Sequence, residues 1–144
     1  MPRVTLKACE RYEFSHRLTV RTTDLNYAGH LGNEALLGLV HEARSRLMAD
    51  LGFDTTRIKQ TGLGLVIADL VVNFKAEAFA HDRLDIESHI GEIGEKSFRL
   101  FHRLCRNGEV IAFVETGILA FDYQARTVTQ LPDVFLQELE IKQG

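Results

Sequence analysis

"TTDLNYAGHLGNEALLGLVHEARSRLM", residues 22–48, changes character at its midpoint. The first half collects Asn26, Gly29, His30, Gly32 and Asn33, residues of turns and hydrogen bonds. The second half is strongly apolar and periodic. Leu36, Leu39, Val40, Ala43, Leu47 and Leu51 recur every three or four positions, which predicts a helix from Asn33 to about Leu51. Asn33 is placed to cap it, Glu34 complements the positive end of its dipole, and Gly52 stands where a left-handed terminal residue is expected. Two readings of the preceding loop follow. Either it is only a turn, or it holds a ligand carbonyl against exposed backbone N–H groups, as helix N-termini readily do.

Outward from this stretch, Phe14, Leu18 and Val20 alternate in part with polar neighbours, as in a half-buried strand over Phe14–Thr22. Beyond the helix, "LGLVIADLVVNF", "RLDIESHIGEI", "SFRLFHRLC" and "VIAFVETGILAFD" read as four successive strands, with Asn107-Gly108 a hairpin signal between the last two. The first of the four is apolar on both faces, so burial is expected for it. The tail "PDVFLQELEIKQG" reads as a short terminal helix or arm. The order predicts an α+β fold, an antiparallel sheet of about five strands wrapped around one long central helix. Residues 1–144 form one domain, long enough to bury a core without staples.

Composition narrows the function classes. A net charge of −3 with interspersed signs offers no nucleic-acid face. Cys9 and Cys105 lack a CxxC partner or metal-ligand spacing, which fits free thiols in a reducing cytoplasm and no structural metal. No signal-peptide core is present, and no run approaches the roughly 18 apolar residues of a membrane span.

On the helix, Ala35, Gly38, Glu42, Ser45 and Ala49 share one stripe in which Glu42 is the only large member. Small neighbours would let a backbone or slender ligand approach that carboxylate. An i,i+4 ion pair with Arg46 is the competing reading. His41 points about 100° away from Glu42, too far round for a direct dyad. His30 reads as a loop-ordering or substrate-positioning group. Asp69 interrupts "LVIADLVV" and must be paired, hydrogen-bonded, or exposed at a cavity or subunit boundary, because an unpaired buried carboxylate is costly. His16, His89 and His102 fall on strands without a shared spacing, so metal ligation is not expected of them.

Residues 22–48 resemble the hot-dog acyl-CoA thioesterases of the 4-hydroxybenzoyl-CoA thioesterase-like group. Their pattern is an aspartate, two residues, a glycine, often His-x-Asn, and then a helix containing Glu-Ala-Arg. Gly29, His30, Asn33, Glu42, Ala43 and Arg44 match it, and the resemblance runs from about Tyr12 to Pro132. One position departs: three residues before Gly29, where many relatives carry a catalytic aspartate, stands Asn26. Other branches of the fold combine an Asn or Gln in the loop with a carboxylate about four helical turns onward, as Asn26 and Glu42 do.

The resemblance implies hydrolysis of acyl-CoA thioesters to a free acid and CoA, without metal or any cofactor besides the CoA of the substrate. Asn26 would orient the thioester or the water, and Glu42 would be base or nucleophile. Backbone N–H groups near Gly29 and His30 would stabilise the oxyanion. Gly29, His30 and Asn33 would touch substrate, with Asp69 entering from a partner chain in a homodimer or tetramer. A hot-dog hydratase or dehydratase and a non-catalytic acyl-thioester binding protein are the alternatives.

Overall fold

The computed structural model of the protein describes residues 3–53 and 60–143. Strand β1 (Phe14–Thr19) leads through a 3-10 turn (Thr22–Asp24) and the Gly/Asn loop into helix α1 (Asn33–Asp50). Then come β2 (Leu63–Phe74), β3 (Arg83–Gly91), β4 (Ser97–Arg106), β5 (Glu109–Asp122), the two-residue β6 (Thr127–Val128) and helix α2 (Asp133–Gln143). The strands form one antiparallel sheet in the order β1-β3-β4-β5-β2, with β6 added to the end of β5. The expected five strands are therefore joined by a sixth short one, and the tail is a helix.

Strand alternation sets the faces. Phe14 and Leu18 of β1, Leu84, Ile86 and Ile90 of β3, Phe98, Leu100 and Leu104 of β4, and Ala112, Val114, Ile118 and Ala120 of β5 all point inward. Against them α1 presses Leu36, Leu39, Val40, Ala43, Leu47 and Met48. Helix α2 closes the far end by burying Phe135 and Leu139; Phe135 stacks on Phe98 with ring centroids 5.2 Å apart and meets Phe53 edge-on. Asn107 and Gly108 both take positive φ, as a two-residue hairpin requires. Gly52 likewise ends α1 with φ +77°.

Two expectations are corrected. Asn33 is the first helical residue rather than the cap; Gly32 holds the cap position, and no side chain caps the helix. Strand β2 is not well buried. It is the outermost strand beside β5, and Ile67, Leu70 and Phe74 are 52%, 42% and 53% exposed. Its apolar character on both faces reflects an unpaired sheet edge, not enclosure between neighbours.

The inward rows also carry polar residues. Ser88, His102 and Thr116 are buried under α1, and Ser88 Oγ lies 2.7 Å from His102 Nδ1. Burial pushes the His102 imidazole down to about 3, with the charges of Arg44 and His16 adding to the effect. A neutral histidine that the unfolded chain protonates near 6.5 makes stability fall as pH drops from about 6.5 toward 3, by roughly 1 kcal/mol per pH unit. Urea unfolding at pH 7, 6 and 5 should show this loss, and His102→Gln should flatten the slope by one proton. A stability independent of pH over that window contradicts the assignment.

Candidate active site

Asn26 organises the loop. Its carboxamide oxygen accepts from the N–H of Ala28 at 2.9 Å and of His30 at 3.4 Å, while its backbone N–H donates to the His30 carbonyl at 2.9 Å. The N–H of Gly29 donates back to the Asn26 carbonyl at 3.0 Å, and Gly29 has φ +83°, a conformation only glycine adopts without strain. The amides of Gly29 and His30 are thus engaged inside the turn. A Leu25–Leu31 bridge closes the loop, and the Gly32 N–H donates to the Asp24 carbonyl.

Asp24 anchors the loop's entry. Its buried carboxylate accepts from the Arg21 N–H at 2.8 Å and from the Arg21 guanidinium at 3.0 Å, and those hydrogen bonds hold its carboxyl below the usual range against the opposing effect of burial. The Leu31 N–H donates to Ala78 at 2.7 Å, tying the loop to the segment before β3.

The donors left open lie one step further along. Leu36 makes the first intrahelical bond to Gly32, so the N–H groups of Asn33, Glu34 and Ala35 have no acceptor among the described residues. His30 precedes them by three residues. Its Nδ1 lies 3.4 Å from Asn26 Nδ2, and its Nε2 lies 3.6 Å from a Glu77 carboxylate oxygen. Asn26, His30, Asn33 and the glycines are therefore brought together, with Glu77 as a partner that sequence spacing does not show.

Glu42 is not brought to Asn26. It forms the i,i+4 pair with Arg46 at 2.8 Å and borders a groove with Ala35, Gly38, Leu18, Arg21 and Asp24. Seven residues beyond Ala35, it stands about 10 Å along the axis from the open amides. Asp69 is also separate. Opposite Gly117 and next to a register shift in β2, it lies on the outer face and takes two bonds from Arg99, at 3.1 and 2.5 Å. Arg99 also bonds Glu115, and its contact lowers the Asp69 carboxyl.

Across α1 from the Glu42 groove, a cleft of about 400 Å³ runs between the helix and the free edge strand. Ser45 and Ala49 border it, so the small-residue stripe runs between two depressions. Met48, Leu65, Ile67 and Ile118 supply apolar wall; His41 and Arg44 supply polar groups. The Arg44 guanidinium donates to His41 Nδ1 at 2.5 Å. The polar row beneath escaped sequence reasoning, although a signal existed: His16, Ser88, His102 and Thr116 each stand in the inward phase set by their apolar neighbours.

A helix held in an antiparallel sheet, with a hydrogen-bonded Gly/Asn loop at its open N-terminus, is a hot-dog domain of the thioesterase kind. The chain belongs to the thioesterase-like superfamily, whose family model matches residues 20–139. It is 28% identical over 132 residues to a 1,4-dihydroxy-2-naphthoyl-CoA hydrolase of Synechococcus elongatus, covering 90% of this chain and 96% of that protein. A gentisyl-coenzyme A thioesterase superposes with a TM-score of 0.80 at 24% identity, covering 88% of this chain and 99% of the other. A Staphylococcus aureus protein in complex with CoA reaches 0.86 at 14% identity, covering 96% and 87%. These structural likenesses establish the fold.

Two glycines separate backbone from ligand effects. Among the described residues, a Cβ at Gly29 or at Gly38 would meet nothing within 4 Å beyond its chain neighbours and the backbone of its own helix. Gly29→Ala should cost about 1 kcal/mol in urea unfolding, because its left-handed backbone strains any side chain. Gly38→Ala should stabilise by up to about 1 kcal/mol through helix propensity. Stabilisation with a fall in turnover would mark the stripe as a ligand surface; stabilisation with unchanged turnover would mark it as bare helix.

Proposed function

We propose that this chain hydrolyses acyl-CoA thioesters to a free acid and CoA, with the thioester carbonyl seated on the open first-turn amides of α1. The observation that carries this reading is the pairing of three unused N–H donors with a loop whose Ala28, Gly29 and His30 amides are already engaged. Such donors, at the positive end of a helix, stabilise the oxyanion that forms when water attacks a thioester. Asn26 shapes the loop and offers its Nδ2 beside His30 Nδ1.

His30 Nε2 faces the Glu77 carboxylate at 3.6 Å, an ion-pair contact longer than a hydrogen bond, and we assign Nδ1, on the Asn26 side of the ring, as the proton acceptor. We assign the attacking water a place beside the Asn26 Nδ2–His30 Nδ1 pair, whose atoms lie 3.4 Å apart, on its solvent side. His30 lies nearer the open amides in the chain than Glu42 does, and Glu42 spends its carboxylate on Arg46. The reaction draws only on water and these side chains, and Asp69 serves the outer-face cluster with Arg99. Among the described residues no helix is long and apolar enough to cross a membrane. Both cysteines are free, which supports the reducing cytoplasm as the compartment.

The unpaired edge of β2 supports self-association. Twelve residues without proline, carrying exposed Ile67, Leu70 and Phe74, leave a row of backbone donors and acceptors open to another strand. A homodimer would cover that edge and the cleft beside it. Sedimentation at micromolar concentration should show no folded monomer; a compact monomer would remove this part of the proposal.

The function is tested by free-thiol release across short, long and aryl acyl-CoAs, with enoyl-CoA absorbance followed separately. Thiol release supports hydrolysis, and enoyl loss without it turns the reading to a hydratase. His30→Gln should lower turnover by about 10²-fold or more, the usual scale for a positioned base. Glu42→Gln should change it less than threefold and cost at most about 1 kcal/mol of stability. The reverse pattern would return the base to the helix carboxylate, acting on a thioester held by a second copy.

A further inference from the structure

The segment between β2 and β3 is pinned on both sides of Glu77. Before it, the N–H groups of Lys75 and Ala76 both donate to the Ile111 carbonyl of β5, at 2.8 and 3.1 Å. The Glu77 carbonyl accepts from the Arg106 guanidinium at 3.0 Å, and one residue on the buried Ala78 accepts the Leu31 N–H at 2.7 Å. Arg106 braces the far side as well. It donates to the Asp82 carboxylate at 2.7 Å, and that carboxylate accepts the Phe79 N–H at 2.8 Å.

The bond from Leu31 to Ala78 joins the chain neighbours of His30 and Glu77. It sets the two side chains against each other, His30 Nε2 lying 3.6 Å from a Glu77 carboxylate oxygen although 47 residues separate them. Asp24 and Glu42 are each matched to an arginine, at Arg21 and Arg46. Glu77 differs: among the described residues its carboxylate has no ion-pair partner besides His30. With side chains 28% and 63% exposed, the contact adds little to folding, since half-open pairs are worth at most about 1 kcal/mol.

A reaction uses such a contact differently from a fold. As proton acceptor, His30 is neutral before water attacks and cationic once the proton has moved. A carboxylate already in place beside the other ring nitrogen therefore acts on the charged state and hardly on the ground state. Its main-chain anchors mean that little has to rearrange as the charge appears.

We propose that Glu77 is a positioning residue of the hydrolytic site, its carboxylate stabilising the imidazolium that forms when His30 Nδ1 takes a proton from the attacking water. The water oxygen bonds to the thioester carbon as that proton leaves, and the carbonyl electron pair moves onto the oxygen. When the carbonyl re-forms, the C–S bond breaks and Nδ1 returns the proton to the departing CoA sulfur; Glu77 keeps its charge throughout. This rests on the thioester hydrolase reading with His30 as base and adds a group outside the loop–helix stretch of residues 22–48.

The test is a double-substitution cycle. Thiol release is measured with acetyl-, dodecanoyl- and benzoyl-CoA, and kcat and KM are then compared on the one that wild type hydrolyses best. Glu77→Gln should lower kcat about threefold or more, the scale of one half-exposed ion pair, and leave KM within twofold. Glu77→Lys should lower kcat further, because a cation there opposes the imidazolium. In a His30→Gln background, Glu77→Gln should change kcat less than twofold, since the charge it answers no longer forms. Urea midpoints check that each variant is folded.

A kcat for Glu77→Gln less than threefold below wild type, with His30→Gln down by about 10²-fold, overturns this inference and leaves the hydrolase reading standing. Losses that multiply in the double variant overturn it too, as does a rise in KM at unchanged kcat, which would make Glu77 a substrate contact. His30→Gln with wild-type turnover removes the base assignment and this inference with it. A panel without thiol release in wild type removes the hydrolase reading and this inference together.

Discussion

Helix α1 has to bury one face in the curve of the sheet, and the rest of the molecule is arranged around that requirement. Leu36, Leu39, Val40, Ala43 and Leu47 are at most 8% exposed, against the inward rows of β3, β4 and β5. Removing one such side chain, Leu47→Ala for example, would cost on the order of 2–5 kcal/mol, a large part of a domain's stability. The seam fixes the helix's rotation, and rotation decides which flank meets which groove. Glu42 and Arg46 fall toward β1, whereas His41, Arg44 and Ser45 fall toward β2. Where the helix begins is settled by the loop, through the Asn26 turn and the bond from Leu31 to Ala78.

The same constraint accounts for the polar groups. An antiparallel sheet with its helix on one face leaves the other face to charged pairs: Arg99 bonds Asp69 and Glu115 there, and Arg103 bonds Glu87. A polar residue in the inward phase has no such freedom. Ser88 and His102 satisfy each other in part, and Thr116 is left facing the underside of α1. Placing polar atoms there costs stability that leucine or valine would have supplied. They lie beneath α1, close enough to Arg44 for its charge to act on His102.

Much of the architecture was legible in the sequence because its signals are local. The three-to-four spacing of Leu36 to Leu47, the Asn107-Gly108 hairpin and Gly52 each specify their own backbone, and the structure follows them. The exposure of β2 was not legible: a strand apolar on both faces reads as buried unless its place at the sheet edge is known. The loop motif marked the right region, since Asn26, His30 and the first turn of α1 lie together. Its chemistry was harder to read. Glu42 stood out because its neighbours are small, yet helix rise carries it away from Asn26, while Glu77 reaches His30 from 47 residues further along the chain.

A thioester carbonyl seated on the amides of Asn33, Glu34 and Ala35 is tested most directly by following backbone amide chemical shifts while titrating the protein with an acyl-CoA analogue whose thioester sulfur is replaced by methylene. That compound keeps the carbonyl and resists hydrolysis. The amides of these three residues should move together and saturate with the same affinity as bulk binding, with smaller changes at Gly29 and His30, whose N–H groups are already engaged. Saturable binding that leaves the three first-turn amides unmoved would contradict the placement of the reaction at this helix end.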